Sequence, residues 1–272
     1  MARGGFPGMP GGNMQQMLKQ AQKMQEKLAK VQEELESLFP GVEVLRMDTD
    51  TISASQSHEA LLSRFEKEKI PILVGTQMVA KGLDFENVTL VGVIAADLAL
   101  YVDSFRAAER TFSLLTQVVG RAGRGGKTGR AVIQTYTPDN DVIRYAAAQD
   151  YDNFFEQEID LRRLMEYPPF RDLFVLTASG LNEVSVLRAC QQLRRSLERW
   201  IAAWPSPENR PRLLGPAPAA VAKVNHRYRY RLTLMCQNTK EVRGLLAQML
   251  RAANSDKENR GVSIFADVNP YD

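Results

Sequence analysis

Two arginines beside a glycine-rich turn are the residues of this sequence best suited to handling a polyphosphate. Arg121 and Arg124 stand three positions apart in the run Gln117-Val-Val-Gly-Arg-Ala-Gly-Arg. A guanidinium group keeps its charge and meets phosphate oxygens with a planar fork of donors. Gly120 and Gly123 leave the backbone open to a close approach, and Gln117 offers an amide one turn earlier. The alternative is that this run is an ordinary Gly/Arg surface loop, and the presence of Gln117 at this spacing argues against it.

A second polar run begins where a short apolar segment ends at Gly75. Ligands of open α/β sheets bind at the carboxyl ends of strands, so this position favours a binding loop. Thr76, Gln77 and Lys81 can contact a DNA backbone without reading its bases. Gly82 frees a turn, and Asp84 can accept a hydrogen bond from a ribose hydroxyl or an arginine. Taken alone, the run would be an ordinary loop between a strand and a helix.

The sequence predicts no metal site. Cys190 and Cys236 lie far apart and form no CxxC pair, which excludes a zinc ribbon or a disulfide framework and favours a reducing cytoplasm. His58 and His226 have no spacing typical of metal ligands. The run Gly126-Lys-Thr imitates the end of a Walker A loop, but Arg121 stands five residues before it and a strand follows. The sequence therefore predicts no phosphate-cradling loop in this chain.

Basic residues are concentrated in one segment of a chain whose net charge is only +3. Residues 188–231 carry ten Lys or Arg against two acidic residues, and so a net charge of +8. Such a basic region is a plausible footprint for phosphates, and a solvated surface is the alternative. We expect sequence-independent DNA binding centred on this segment.

Arginines and tyrosines alternate in the last part of that segment. Arg227, Arg229 and Arg231 should share one face of a strand, and Tyr228 and Tyr230 the other. We assign the arginines to DNA binding. The tyrosines either lie in a core or, if they point outwards, stack on bases.

Four regions follow from composition and periodicity. Residues 1–13 are a Gly/Pro/Met-rich leader, and residues 14–38 a helix with apolar residues at alternating three- and four-residue steps. This seam predicts weak homodimerisation, and it comprises Met14, Met17, Ala21, Met24, Leu28, Val31, Leu35 and Leu38. Residues 39–150 and 151–272 are predicted to form two α/β domains, with Tyr167-Pro-Pro-Phe170 ending a helix near their boundary. No segment predicts a membrane span or an export signal.

Strands and helices alternate in both predicted domains. The first contains strands 42–47, 71–75, 88–94 and 131–135 and helices 57–66, 105–118 and 141–149, an order typical of a parallel sheet. A helix over 151–165 leads into the second. Its strands 173–179, 219–224, 228–236 and 262–267 and helices 183–203 and 240–252 follow the β-α-β-β-α-β order of the ferredoxin-like arrangement. A proline-rich insert, residues 204–218, should interrupt it.

The two polar runs, about 35 residues apart, resemble motifs V and VI of superfamily 2 helicases. From about Glu36 to the C-terminus the sequence is similar to that of the PriA family of primosomal replication-restart helicases. The resemblance implies that residues 39–150 form the RecA-like second motor lobe of such a helicase. The segments that carry this resemblance are Gly75-Thr-Gln-Met-Val-Ala-Lys-Gly82, Phe105-Arg-Ala-Ala-Glu-Arg-Thr-Phe112, Gln117 to Arg124, Tyr167-Pro-Pro-Phe170 and Leu214-Gly-Pro-Ala-Pro218.

The resemblance implies a role for each motif residue. Arg124 would be the arginine finger that faces the γ-phosphate, with Arg121 as its companion and Gln117 as the motif VI glutamine. Four further residues, Gly82, Asp84, Gly120 and Gly123, would lie at the interface between two motor lobes. Thr76, Gln77 and Lys81 would lie beside the DNA strand.

The resemblance also implies the activity and the partners of the complete enzyme. That enzyme would be an ATP- and Mg²⁺-dependent 3'-5' DNA helicase of the bacterial nucleoid, acting in replication restart and primosome assembly. Its partners would be forked or single-stranded DNA, single-stranded-DNA-binding protein and other primosome proteins. The first motor lobe and the family's zinc-binding cysteine pairs have no counterpart in the sequence. We therefore expect this chain, a truncated or fused form, to be inactive alone.

The first 35 residues instead resemble the first helix of the YbaB/EbfC nucleoid-associated family. Gly11-Gly-Asn-Met14 and Lys19-Gln-Ala-Gln-Lys-Met24 carry this likeness. A gene fusion, a recombination remnant or an assembly artefact would each produce such a junction. The alternative function is therefore a non-enzymatic, nucleoid-associated DNA-binding protein dimerised through residues 14–38.

Overall fold

A computed structural model describes residues 26–47, 58–76, 88–120 and 129–270. These residues divide into two units, one running to Glu158 and the other beginning at Ile159. The domain boundaries inferred from the sequence stay predictions. No helix in these four ranges is long and apolar enough to cross a membrane.

The first unit contains short strands that pair in parallel. Helix α1 covers residues 26–38 of the described chain. It is followed by β1 Val44–Met47, α2 His58–Lys67, β2 Ile72–Gly75, β3 Leu90–Val93, α3 Ala107–Val119, β4 Arg130–Ile133 and α4 Asp141–Ala148, and α5 Tyr151–Met165 begins in this unit. Strand β1 pairs with β2, and β3 with β4, both in parallel. The parallel pairing confirms the predicted α/β class, although the described strands form two pairs rather than one sheet.

Two apolar clusters hold the elements of the first unit. Strand β1 and helix α2 enclose Leu45, Met47 and Leu61. Helices α3, α4 and α5 meet around Phe112, whose ring stacks on that of Phe154 at a centroid distance of 4.0 Å. Aromatic pairs at such separations add to the free energy gained from burial.

Helix α1 shows only the last part of the predicted seam, because residues 14–25 lie outside the described ranges. Leu28 is buried within the chain, Val31 and Leu35 are partly exposed, and Leu38 is 71% exposed. A dimer through this seam would have to compete with the existing burial of Leu28. Homodimerisation therefore stays a prediction.

The second unit confirms the ferredoxin-like order. Its elements are β5 Asp172–Gly180, α6 Glu183–Ala202, β6 Arg212–Val224, β7 Arg227–Cys236, α7 Lys240–Ser255 and β8 Val262–Val268. The four strands form one sheet in the order β6-β7-β5-β8, and every neighbouring pair is antiparallel. Polar caps fix the helix starts, since Asn182 accepts from the Ser185 amide and Thr239 from the Val242 amide.

Alternation along the strands separates two faces of this sheet. Side chains at even positions of β5 and β7, such as Leu176, Leu232 and Leu234, join one core with residues of α6 and α7. Both helices therefore cover the same face, here called the core face. The odd positions of β5 and β7 lie on the opposite face, here called the open face. Part of that face is also buried, since Leu173, Val175, Thr177 and Met235 are each 9% exposed or less.

Strand β6 is longer than the sequence predicted. The proline-rich insert was expected to interrupt the domain up to Pro218, yet the strand already begins at Arg212. Strand β6 is at the edge of the sheet, where proline is tolerated because one side of the strand needs no ladder bonds. The pairing with β7 also shifts register between Leu214 and Ala217, which accommodates Pro216.

A two-residue turn joins β6 to β7. Its residues, Asn225 and His226, both have positive φ, at 55° and 60°. Turns with two left-handed residues suit the right-handed twist of a β-hairpin, and asparagine tolerates this conformation better than most residues. The turn therefore determines where β7 begins, at Arg227 opposite Val224.

The two cysteines should be inert in the folded chain. Burial raises the pKa of the Cys190 thiol to about 11 and that of Cys236 to about 12. We expect an aromatic disulfide reagent to label neither thiol at about pH 8 until urea unfolds the second unit. Because the folded state disfavours the thiolate, stability should fall as pH rises above about 8.5, the pKa of an exposed thiol.

A variant with an exposed cysteine gives the control for this labelling. Val184→Cys introduces a thiol at a position that is 76% exposed, and it should react at once. Immediate labelling of Cys190 or Cys236 in the native chain would contradict their burial.

Candidate nucleotide and DNA site

Three of the predicted motif residues lie in described ranges. Thr76 directly follows β2, at the carboxyl end of a parallel strand and partly exposed, as predicted. Gln117 lies in the last turn of α3, where its amide donates to the Ser113 hydroxyl at 3.2 Å. The others lie outside the described residues: Gln77, Lys81, Gly82, Asp84, Arg121, Gly123 and Arg124. The roles assigned to all of these residues stay predictions.

Gly120 ends helix α3, and packing accounts for the absence of a side chain there. Its amide donates to the Thr116 carbonyl. A Cβ atom at this position would lie 3.2 Å from that carbonyl oxygen and 3.3 Å from the Gln149 amide nitrogen. The close approach of a ligand to this glycine stays a prediction.

Asp97 accepts several hydrogen bonds in the first unit. It lies in a short 3-10 helix, Ala96–Ala99, and is buried. The hydroxyls of Thr135 and Thr137 each donate to Oδ1 at 2.5 Å, and the Tyr136 amide donates to Oδ2 at 2.9 Å. The carboxylate therefore joins the segment after β3 to the segment after β4.

The donors around Asp97 also determine its protonation. Hydrogen bonds from Thr135, then Thr137, and from the Tyr136 amide hold its pKa well below the usual range for a carboxyl group. The carboxylate stays charged at neutral pH without a cationic partner in these bonds. Sequence reasoning gave Asp97 no role, because its donors lie about 40 residues further along the chain.

Asp97→Asn should lower the free energy of unfolding at neutral pH, because an amide cannot accept all of these hydrogen bonds. A depressed folded pKa stabilises the fold above the unfolded pKa, about 3.9, and this contribution is lost as pH falls below it. The difference between wild type and variant should be constant above about pH 5 and shrink below about pH 4. Urea denaturation followed by circular dichroism measures it.

Asp139→Asn removes the same charge from an exposed position nearby and is the matched control. It should leave the free energy of unfolding unchanged. Equal stability of wild type and Asp97→Asn at neutral pH would show that this carboxylate is not an anchor.

In the second unit, the predicted arginines and tyrosines of β7 do separate onto two faces. Tyr228 and Tyr230 pack against the apolar core, so they are not free to stack on bases. The Tyr230 hydroxyl donates to Glu183 at 2.8 Å, and this hydrogen bond raises its pKa. Lys223 lies over the Tyr228 ring, with its Nζ 4.3 Å from the ring centroid.

The three arginines of β7 lie on the open face and are partly exposed. Arg227 donates to the hydroxyl and the carbonyl of Ser179, at 3.2 and 2.8 Å. Neutral acceptors hold the guanidinium in place but leave its charge uncompensated. Arg229 is paired with Ser179 across the ladder, and Arg231 with Thr177. The open face therefore carries three cations at alternate positions of one strand.

The basic segment 188–231 does not form a single surface. Its helical arginines lie on α6, which covers the core face, whereas those of β7 lie on the open face. Arg188 donates to the Glu258 carbonyl, and Arg194 pairs with Glu198 at 2.7 Å. Counting charges along the sequence could not distinguish the arginines of α6 from those of β7, because the packing of α6 on the sheet places them on different sides.

An ion-pair cluster that the sequence did not predict lies at the start of β5 and β6. Glu166 pairs with Arg171 at 2.9 Å and with Arg212 at 3.0 Å. Arg171 also donates to the carbonyls of Glu208 and Arg210. These residues line a cavity of about 660 Å³, and their contacts tie the proline-rich segment to the sheet.

The described residues contain no cluster of acidic, histidine or cysteine side chains that could hold a metal ion. The Mg²⁺ that the resemblance implies therefore has no such ligand cluster within the described ranges. The predicted nucleotide contacts depend on Gln117 together with residues outside those ranges.

Two protein families match the chain. The Helicase conserved C-terminal domain matches residues 13–126, and the Primosomal protein N C-terminal domain matches residues 163–271. The helicase match begins within the leader and includes residues 14–38. The likeness of that helix to YbaB/EbfC proteins stays a prediction.

Curated relatives agree with these families. The chain is 40% identical to Replication restart protein PriA of Bacillus subtilis (strain 168) over 242 residues, 89% of this chain and 29% of the relative. It is 41% identical to Replication restart protein PriA of Synechocystis sp. (strain ATCC 27184 / PCC 6803 / Kazusa) over 203 residues, which are 75% of this chain and 24% of the relative. The identity to Replication restart protein PriA of Chlamydia muridarum (strain MoPn / Nigg) is 35% over 241 residues, which are 89% of this chain and 31% of the relative.

The chain spans under a third of the length of these relatives. Both of its family matches, and the ferredoxin-like sheet within the second, agree with the part of the sequence that carries the resemblance. The chain therefore belongs to the PriA family and corresponds to its C-terminal part, a helicase C-terminal domain followed by the primosomal C-terminal domain.

Proposed function

We propose that this chain supplies the second motor lobe and the DNA-contacting C-terminal domain of a PriA-type, ATP-dependent 3'-5' DNA helicase in replication restart. The observation that carries this proposal is the tandem of two family matches, helicase domain first and primosomal domain second. Relatives named Replication restart protein PriA support the process. Single-stranded-DNA-binding protein and other primosome proteins are its expected partners.

An ATPase of this kind is assembled between two lobes. The first lobe supplies the amides, lysine and Mg²⁺ ligands that hold the triphosphate. The second supplies positive charge where the transferred phosphoryl group becomes more negative.

In this chain Arg124 is the proposed arginine finger, with Arg121 and Gln117 beside it. Gly82, Asp84 and Gly123 would lie at the lobe interface, and Gln77 and Lys81 beside the DNA. Two arginines without the first lobe should hold nucleotide weakly, because water and salt screen exposed charges.

A complementation experiment tests the motor assignment. This chain is joined by a flexible tether to a separately encoded PriA first lobe, and phosphate release is followed with forked DNA. We expect no turnover from either part alone and measurable turnover from the tethered pair. Arg124→Ala should reduce that turnover about 10³-fold or more, the range known for arginine fingers.

Arg144→Ala is the matched control, since Arg144 lies on α4 with its side chain largely exposed and paired only with the nearby Asp141. It should leave turnover unchanged. DNA-dependent hydrolysis by the isolated chain would contradict the absence of a nucleotide cradle. Equal turnover with and without Arg124 would refute its role.

The proposed DNA surface is the open face of the second unit. Arg227, Arg229 and Arg231 are the proposed phosphate contacts, because they are partly exposed and lie at alternate positions of one strand. Contacts with phosphates carry no sequence information, so binding should be independent of sequence. Release of counterions should make the affinity fall steeply with salt.

Changing all three arginines to alanine should weaken binding to single-stranded and forked DNA. The slope of log K against log salt should become shallower by about 2, at about 0.7 for each lost phosphate contact to a single strand. Fluorescence anisotropy over a salt series measures both quantities.

The control is a triple variant on helix α6, with Arg188, Arg195 and Arg199 changed to alanine. It removes the same charge from the other side of the sheet and should have the smaller effect. If the two triple variants weaken binding equally, net charge alone accounts for it and the open face is not the site.

A further inference from the structure

Within the described residues, the sheet of the second unit ends in two edge strands, β6 and β8. Unpaired amide and carbonyl groups along an edge strand can pair with a strand of another molecule. Strand β6 carries Pro216 and Pro218, and shifts of register interrupt its pairing with β7. Both features make β6 a poor template for a further strand, because proline has no amide hydrogen to donate. Strand β8 contains no proline, so its edge needs another form of protection.

Alternate residues of β8 direct their backbone groups towards the free edge. The Asn269 amide, just after the strand, donates to the Leu173 carbonyl of β5 at 2.8 Å. Residues at odd positions therefore pair with β5, because backbone groups alternate between the two sides of an antiparallel strand. The amides and carbonyls at even positions face the free edge, namely those of Val262, Ile264, Ala266 and Val268.

The side chain of Asn254, in the last turn of helix α7, closes the middle of this edge. Its Oδ1 accepts a hydrogen bond from the Ile264 amide at 3.0 Å, and its Nδ2 donates to the Ile264 carbonyl at 2.8 Å. The same Nδ2 donates to the Leu250 carbonyl at 2.9 Å, so both of its hydrogens are used. A primary amide offers one acceptor and a donor group, as the backbone of a neighbouring strand would. Asn254 therefore takes the place of a strand residue beside Ile264.

The partners of Asn254 require an amide at this position. Exchange of Oδ1 and Nδ2 would place an oxygen against two carbonyl oxygens and a donor against the Ile264 amide. An aspartate could accept from that amide but could donate to neither carbonyl, and an alanine could do neither. Asparagine thus satisfies both backbone groups of Ile264 at once.

Without this side chain, β8 would be complementary to a second copy of itself. Two copies paired antiparallel about Phe265 would bring the edge groups of Ile264 opposite those of Ala266 in the partner. On the open face, Phe265 would meet its own copy, and Ser263 would lie opposite Asp267. Aromatic pairs across neighbouring strands stabilise a sheet, and no like charges would lie opposite each other.

The composition of β8 also favours pairing between molecules. Its 7 residues, Val-Ser-Ile-Phe-Ala-Asp-Val, include one charged residue and no proline. Segments of this kind readily join sheets of different molecules when their edge is open. Phe265 and Val268 are each 41% exposed, so a partner strand would also cover apolar surface that now contacts water.

We propose that Asn254 prevents the β8 edge from pairing with a second copy of this chain. The backbone groups of Ile264 lie near the centre of the edge, so their occupation interrupts the row that a partner strand would need. A second copy is the occupant that this edge fits, because the strand is complementary to itself. Neither Asn254 nor β8 belongs to the motor motifs or to the proposed DNA contacts, so this role is independent of the helicase function.

Asn254→Ala in the full chain tests this role. Removal of the amide frees the Ile264 backbone, so sedimentation equilibrium over a concentration series should show an average mass about twice that of wild type. A dimer through residues 14–38 would be present in wild type and variant alike, so the change in mass is the measured quantity. Asn209→Ala changes an exposed asparagine in the loop before β6, and this matched control should keep the wild-type mass.

Two further variants distinguish an open edge from a weakened fold. Asn254→Asp loses the hydrogen bonds to both carbonyls but places a negative charge at the edge, so it should keep the wild-type mass. Asn254→Ala combined with Phe265→Lys would place like charges opposite each other in the paired strands, and it should return to the wild-type mass. An equal rise in mass for Asn254→Ala and Asn254→Asp would overturn the proposal, because lost packing would then cause the association.

Amide hydrogen exchange locates the contact, and its first part needs only wild type. The Ile264 amide should exchange slowly, because Asn254 accepts its hydrogen, and the Ala266 amide should exchange fast. In the associated Asn254→Ala chain, the Ala266 and Val268 amides should become protected, whereas local unfolding would leave both unprotected. Fast exchange of Ile264 in wild type, or association without protection of β8, would contradict the proposal. So would an Asn254→Ala chain with native circular dichroism and the wild-type mass.

Discussion

The antiparallel pairing of β5 with β7 is the interaction on which the second unit depends. It runs without interruption from Asp172 opposite Cys236 to Gly180 opposite Tyr228. A slip of one residue would exchange the two faces of β7 and bring its arginines into the core occupied by Leu232 and Leu234. Burying an unpaired charge is far more costly than exposing a leucine. One register therefore determines both the apolar core and the position of the cationic surface.

Tight packing at the ends of β5 supports this register. A side chain at Gly180 would lie 2.9 Å from Val186 and 3.0 Å from the Gly261 carbonyl, so the start of α6 can approach the sheet only at a glycine. At the other end, Asp172 accepts from the side-chain amide of Asn269 and from the Asn238 backbone. Asn269 in turn accepts from the Leu173 amide. Both ends of the strand are thus held by residues far away in sequence.

Local patterns of the sequence predicted most elements of the fold. Helix α5 has the predicted bounds, and α6 and β7 differ from theirs by one residue, because caps and alternation act within a few residues. The early start of β6 was missed, since the tolerance of Pro216 depends on an edge position that only the assembled sheet creates. Asp97 was missed for a related reason, because its donors lie about 40 residues further along the chain. The cluster around Glu166 was missed because it also needs Arg212, which is 46 residues away. Arg121 and Arg124 are identified by motif and resemblance alone, because both lie outside the described ranges.

The number of residues in the turn at Asn225 and His226 determines which side chains of β7 lie on the cationic surface. Both faces of β7 are encoded in the same short stretch, so neither can be altered by adding or removing a residue without altering the other. The cationic surface can therefore change by substitution at odd positions, but the length of the turn before it is constrained. Related chains should therefore keep this turn at two residues. Its length would be conserved because it positions the cationic surface, although neither of its residues lies on that surface.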